Sequence, residues 1–364
     1  MSDSPSPEPK PASPHRRRPR YSGKNPRRFE EKYKEHNPQR YGDTITKVLA
    51  SGKTPAGMHR PIMVTEILEV LKPQPGEIVA DCTLGYGGHA REILPKLLPD
   101  GRLIGLDVDP IELPKTEGRL RELGFGPDVF VAHRSNFAGL AKILAAEQLS
   151  GTDVILADLG VSSMQIDDPG RGFSVKFEGP LDMRMNPSRG QPARVLLEKI
   201  SADDLAVLLE ENADEPHARI LADILAGKTF PTTSSLTNTV HRALLRATTD
   251  EVRDDSIRRV FQALRIAVND EFSALDSFLR NLPSCLNPGG RVAILTFHSG
   301  EDRRVKKSFE AALRDSLYAD IAHEVIRPTP AERHDNPRSS PAKLRWACKA
   351  DLVATGGSCD SNTV

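Results

Sequence analysis

Residues 81–94, DCTLGYGGHAREIL, place a glycine-rich turn between an apolar run, EIVADC, and a helical pattern, GHAREILPKLL. Gly85, Gly87 and Ala90 satisfy the G-x-G-x-x-G/A spacing, in which missing side chains let backbone approach a ligand at a helix N-terminus. No G-x-x-x-x-G-K-[ST] run is present, which argues against a nucleoside triphosphate. A dinucleotide, S-adenosylmethionine and a tight turn without a ligand are the readings this stretch leaves open.

Outward from the turn, apolar runs alternate with helical ones. EIVADC, GRLIGLDVD, DVFVAH, TDVILADLG and, much later, GGRVAILTFHS read as strands; HAREILPKLL, LPKTEGRLREL, FAGLAKILAAEQL and GEDRRVKKSFEAAL read as helices between and after them. Short hydrophobic strands separated by helices describe an α/β fold with a doubly wound parallel sheet. In such sheets ligands bind beyond the carboxyl ends of the strands. Asp81, Asp107 and Asp158 occupy those ends. Asp107 follows Gly85 at the range where an acid accepts hydrogen bonds from ribose hydroxyls. A nicotinamide-dependent dehydrogenase shares that pairing. Three carboxylates favour a cationic sulfonium cofactor with its ammonium over a dinucleotide, whose phosphates an acidic rim repels.

The composition bounds the alternatives. With 364 residues, 38 % hydrophobic and 27 % charged, the chain suits one large α/β domain with an insertion, or two domains. No apolar run reaches membrane-spanning length and no signal peptide is evident. Cys82, Cys285, Cys348 and Cys359 are scattered without a C-x-x-C pair, which argues against zinc or a disulfide framework and for reduced thiols in a cytoplasm. The zero net charge hides an asymmetry. Residues 1–57 hold 13 Lys and Arg against 6 Asp and Glu, a net of +7, which leaves 37 against 44, a net of −7. That segment also holds nine prolines, so it is expected to be a disordered basic arm, either a solubilising tail or a tether to nucleic acid.

From DVILADLGVSSMQIDDPGRGFSVKFEGPLDMRMNP the chain resembles the bacterial RsmH (MraW) family. HRPIMVTEIL, DCTLGYGGHAREIL, GLDVDP, FQALRIAVNDE, LNPGGRVAILTFHSGEDRRVK and NPRSSPAKLR extend the match in order, over roughly residues 58–350. The resemblance implies S-adenosylmethionine-dependent methylation of the exocyclic N4 of a cytidine in small-subunit (16S) ribosomal RNA. It also implies a class I (Rossmann-like) methyltransferase sheet interrupted by a helical substrate-binding domain, with a terminal hairpin of HEVIR and KLRWACK. The expected division is an arm over 1–57, methyltransferase over 58–165 and 263–352, helical insertion over 166–262, and a flexible tail over 353–364.

By motif, the resemblance implies that Gly87, Gly88 and His89 touch the methionine portion of the cofactor. Asp107 would hold the ribose, Phe137 would lie by the adenine, and Asp158 and Gln165 would complete the pocket. Asp158 is also the candidate catalytic residue, beside the reacting amine. His298 is expected to order a turn beside the site, with Ser299 capping the next helix. Gly300 stands where the family usually has Leu and would loosen that helix start. Arg171, Lys176, Arg184 and Arg189, interleaved with Phe173 and Phe177, suit phosphate contacts and base stacking, and Arg338, Lys343 and Arg345 add to them. The expected partner is small-subunit ribosomal RNA or the subunit itself, with self-association left open. The rivals are the dehydrogenase and a non-catalytic RNA-binding assembly factor.

Overall fold

The computed structural model describes residues 61–351; the expected basic arm and the expected C-terminal tail lie outside the described residues. Seven strands form one sheet: β1 (Ile78–Asp81), β2 (Arg102–Asp107), β3 (Phe130–Arg134), β4 (Thr152–Asp158), β5 (Leu286–Thr296), β6 (Tyr318–Ile321) and β7 (Lys343–Lys349). Their order is β3-β2-β1-β4-β5-β7-β6. The first five are parallel, and β7 and β6 close the edge antiparallel. The strand order reverses between β1 and β4, so the binding crevice of this architecture opens where Asp81 and Asp158 end their strands.

Alternation along the strands builds two cores. Ala80, Ile104, Leu106, Ile155, Ala157, Val292 and Ile294 face one side. There α4 (Leu140–Ala146), α11 (Glu271–Cys285) and α12 (Ser299–Arg314) cover them with Leu144, Phe278, Leu282 and Phe309. Val79, Leu103, Val154, Leu156, Ala293 and Leu295 face the other side, under α1 (Val64–Leu71), α2 (Gly88–Leu97) and α3 (Glu112–Glu122). Each such fully buried Leu or Phe contributes about 1.5–3 kcal/mol.

After β4 comes a short helix, α5 (Ser163–Asp167), and then five longer ones: α6 (Ala193–Lys199), α7 (Ala202–Ala213), α8 (Ala218–Leu225), α9 (Thr233–Ala243) and α10 (Asp250–Asn269). They share a third core of Leu197, Leu209, Leu221, Leu236, Val260 and Leu264, joined by Phe173, Leu181 and Met183 of the preceding loop. Because α10 runs unbroken to Asn269, a boundary at 262 falls inside one helix. Asp270, left-handed at φ 51°, joins α10 to α11. Among the described residues, no helix is long and apolar enough to cross a membrane.

Two expectations are corrected. The first hairpin strand is Tyr318–Ile321, not HEVIR. The ladder pairs Tyr318 and Ile321 with Lys349 and Ala347, then breaks, and Ile326 makes a single further bridge to Leu344. The cap of α12 is His298, whose Nδ1 accepts from Glu301 N at 3.4 Å; Ser299 lies inside the helix and donates to Asp214 Oδ2 at 3.0 Å.

Gly300 is buried, and Phe272 takes its missing volume: a Cβ there would lie 2.6 Å from Phe272 Cζ. The Phe272 ring is held between the Arg304 guanidinium, 3.8 Å from its centroid, and the His298 ring at 5.7 Å. The helix start is therefore packed, not loosened. Gly300→Ala should cost about 1–3 kcal/mol by overpacking. Urea unfolding of Gly300→Ala, Phe272→Leu and the double variant should show a loss smaller than the sum of the single ones. Strict additivity would mean that the two residues do not share that space.

Candidate active site

The turn after β1 is locked from both ends. Leu84 N donates to Leu106 O at 2.8 Å, and Gly85 N donates to Asp107 Oδ2 at 2.7 Å. Thr116 Oγ1 donates to Gly85 O at 2.6 Å. Gly87, at φ 79°, caps α2, and a Cβ on it would meet Thr116 Cγ2 at 2.9 Å. A Cβ on Gly88 would meet Pro61 at 3.1 Å. These two glycines let α2 start close against α3 and the chain's first described residue. Among the described residues, a Cβ on Gly85 would meet Thr83 O alone, at 3.7 Å, so there the backbone stays approachable.

The three strand-end carboxylates are unequal. Asp107 accepts from Gly85 N and, through Oδ1, from Asp109 N at 2.8 Å; burial still pushes its pKa up to about 6 against those two bonds. Asp81 is 1 % exposed and accepts from Thr83 N at 3.1 Å. Burial raises it to about 6, opposed by His89. Asp158 is pushed furthest, to about 7, by burial and then by the charge of Glu301. Its Oδ1 is buried without a hydrogen-bond partner among the described residues. Its Oδ2 lies 3.8 Å from His89 Nδ1.

His89 sits in the first turn of α2, buried, with Nε2 3.0 Å from Ile62 O. A carbonyl can only accept, so Nε2 carries the hydrogen and the neutral ring turns the Nδ1 lone pair toward Asp158. Burial lowers the His89 pKa, which keeps the ring neutral. Phe137, on the short turn after β3, is half-buried and packs edge-to-face on Phe278 at 5.5 Å.

Gln165 is buried in α5. It completes a capping box with Ser162, and its Nε2 donates to Asp109 Oδ2 at 2.8 Å. The same carboxylate oxygen takes Arg171 Nη1 at 2.7 Å, while Oδ1 accepts from Ile111 N at 2.8 Å. Arg171 also donates to the carbonyls of Arg184 and Met185 at 3.2 and 2.7 Å. Sequence reasoning missed the Asp109–Arg171 pair; the signal was the second acid of GLDVDP and a glycine-flanked arginine in PGRGF.

The expected RNA-contacting cations are mostly engaged within the protein. Arg171 is in that buried pair, and Arg184 holds Asp182 with two bonds of 2.8 and 2.7 Å. Arg338 holds Asp167, and Lys343 and Arg345 share Asp302. Phe173 belongs to the helical core. Of that loop's cations, Lys176 and Arg189 are exposed. Among the described residues no group of three His, Cys, Asp or Glu side chains is placed to hold a metal ion.

A doubly wound sheet with a locked glycine turn and acids at its strand ends is the architecture of class I methyltransferases. A profile of the MraW methylase family matches residues 56–350, and the chain belongs to that family. It is 48 % identical over 344 residues to ribosomal RNA small subunit methyltransferase H 1 of Lachnoclostridium phytofermentans, covering 92 % of this chain and 93 % of the relative. It is 50 % identical over 342 residues to methyltransferase H 2 of Alkaliphilus metalliredigens, covering 92 % and 97 %. The enzyme of Halorhodospira halophila is 42 % identical over 322 residues, covering 82 % and 96 %. The chain is a methyltransferase, and neither the dehydrogenase nor the non-catalytic factor finds support.

Breaking the Asp109–Arg171 pair leaves a buried charge alone. Arg171→Met should cost about 3–5 kcal/mol, read as a lower urea midpoint at unchanged m-value. Adding Asp109→Asn should recover part of the loss. A loss below about 1 kcal/mol would place the pair among surface-type ion pairs.

Proposed function

We propose that the chain transfers a methyl group from S-adenosylmethionine to the exocyclic N4 of a cytidine in small-subunit (16S) ribosomal RNA, with Asp158 facing the reacting amine. The observation that carries this reading is Asp158 Oδ1, buried at the switch point beside the glycine turn with no donor among the described residues. Relatives named small-subunit methyltransferase H support the rRNA substrate, and with it a cytoplasmic setting. The helical segment is read as the substrate-binding insertion.

The residues present fit the cofactor. Asp107 keeps lone pairs beyond its two backbone bonds and would hold the ribose hydroxyls. Gly87, Gly88 and His89, at the start of α2, would take the methionine portion, and Phe137 the adenine. Gln165 would close the pocket with the amide hydrogen that Asp109 leaves free. The buried acids suit a cation. Bound there, S-adenosylmethionine supplies an electrophilic methyl group on a sulfonium.

Cytosine N4 is a poor nucleophile because its lone pair is delocalised into the ring, and methylation requires it to shed a proton. Asp158, whose side chain is 27 % exposed at the crevice, accepts the N4 hydrogen bond as carboxylate and then that proton. Oδ2 faces a neutral imidazole lone pair, so the protonated carboxyl has an acceptor beside it. Proton acceptance of this kind is worth roughly 10²–10⁴ in rate.

Asp158→Asn should lower single-turnover transfer at saturating cofactor by at least about 100-fold. Wild-type transfer at saturating cofactor should rise with pH as Asp158 ionises, with a midpoint below the value of about 7 that burial gives it without the cofactor's cation, and the variant should lose that rise. The folded value lies above the ordinary 3.8, so ionisation opposes folding. The stability this group contributes is full below the unfolded value and is lost as pH rises toward 7. Asp158→Asn should therefore be more stable than wild type at pH 8. Near-wild-type transfer with collapsed cofactor affinity would make Asp158 a cofactor ligand alone.

Asp107→Ala should weaken S-adenosylmethionine binding by about 1.5–3 kcal/mol, or roughly 10- to 150-fold. Calorimetry finding unchanged affinity in a folded variant would remove Asp107 from the ribose role.

A further inference from the structure

A cavity of about 220 Å³ lies between α12 and the β6–β7 hairpin, away from the crevice. Phe309, Leu313 and Ile321 give it apolar walls. Among the described residues, Lys306, Arg314, His323 and Arg345 line it with Glu310 as the one acid. Methyl transfer as derived above uses none of these side chains.

Arg345 is 6 % exposed. Its Nε donates to Asp302 Oδ1 at 2.6 Å, and no acceptor among the described residues takes its terminal nitrogens. Lys343 Nζ donates to the other oxygen of Asp302 at 3.0 Å. Although burial works against it, those bonds hold Asp302 below the ordinary carboxylate range, so it is ionised. One carboxylate thus stands between two cations, and the cluster keeps one net positive charge beside the cavity, which Arg345 reaches. Glu310 does not cancel it, because Glu310 sits 3.7 Å from Lys306. Arg314 and His323 are exposed at the rim. A buried net charge is costly unless an opposite charge meets it.

We propose that this cavity is a phosphate-binding site whose occupant is a backbone phosphodiester of the RNA substrate, a reading that rests on the function proposed above. A guanidinium with free terminal N–H groups suits phosphate oxygens. The apolar walls suit a sugar, and the volume falls below the ~300–1,000 Å³ of pockets for whole drug-sized ligands. α12 begins at Ser299 beside the crevice, and Lys306 to Arg314 lie about 10–22 Å further along it at the helical rise. RNA flanking the target base reaches the cavity by following that helix.

The test uses full-length protein, wild type and Lys306→Gln/Arg314→Gln. A fluorescent single-stranded oligoribonucleotide is titrated at several salt concentrations, and inorganic phosphate is titrated separately. With one fewer phosphate neutralised, the log–log salt slope should become shallower by about 0.7, and RNA affinity at low salt should fall severalfold. Arg345→Gln should weaken both RNA and phosphate binding; if it fails to fold, Arg345→Lys, which keeps the charge but not the fork, takes its place. S-adenosylmethionine affinity should be unchanged throughout, which reports an intact crevice. Unchanged slope and affinity overturn the proposal. Lost phosphate binding with unchanged RNA binding also overturns it, assigning the cavity to a free phosphate. A shallower slope in a protein that methylates no cytidine supports the cavity and removes the function proposed above.

Discussion

Asp109 joins the two halves of the site. Its backbone N–H is held by Asp107, which holds Gly85, and its carboxylate holds Gln165 and Arg171. Arg171 reaches the carbonyl of Met185, whose N–H donates to Asn269 Oδ1 at 2.7 Å. An unbroken chain of hydrogen bonds thus runs from the glycine turn to the last residue of α10. Most of it is shielded from water, where each bond is stronger and each missing partner costlier. The chain fixes the distance between the crevice at the strand ends and the helices that follow β4.

The crevice carries its acids at a cost. Burial raises Asp81, Asp107 and Asp158 to about 6, 6 and 7. Each tenfold weakening of an acid withholds about 1.36 kcal/mol from its ionised form. A cation in the crevice reverses that penalty. On the function proposed above, a sulfonium and its ammonium bound there would expel protons from acids that are part-protonated near neutral pH. A dinucleotide would add negative charge to the same place.

Much of this is legible in the sequence because it rests on local pattern. Strand ends at Asp81, Asp107 and Asp158 follow from apolar runs that stop at an acid. What is not legible depends on partners far along the chain. Arg171 and Arg184 read as surface cations because their carboxylates, Asp109 and Asp182, are identified only by folding. Gly300 reads as a weak helix start because Phe272, which fills its place, belongs to another helix. HEVIR, which the resemblance implies as the hairpin strand, gives way to YADI because the ladder along β7 pairs Tyr318 and Ile321.

The insertion between β4 and β5 also sets an order of events during synthesis. β4 ends at residue 158 and its neighbour β5 begins at residue 286. Until the ribosome has made β5, β4 presents an unpaired edge, a template for wrong pairing. The helices made in the interval close mostly local contacts, which form faster than such distant strand pairing. Their core and the Asp109–Arg171 pair can thus form before the sheet is complete. A nascent chain stalled near residue 270 would hold a folded helical lobe beside half a sheet, with β4 as the exposed edge that a chaperone would meet.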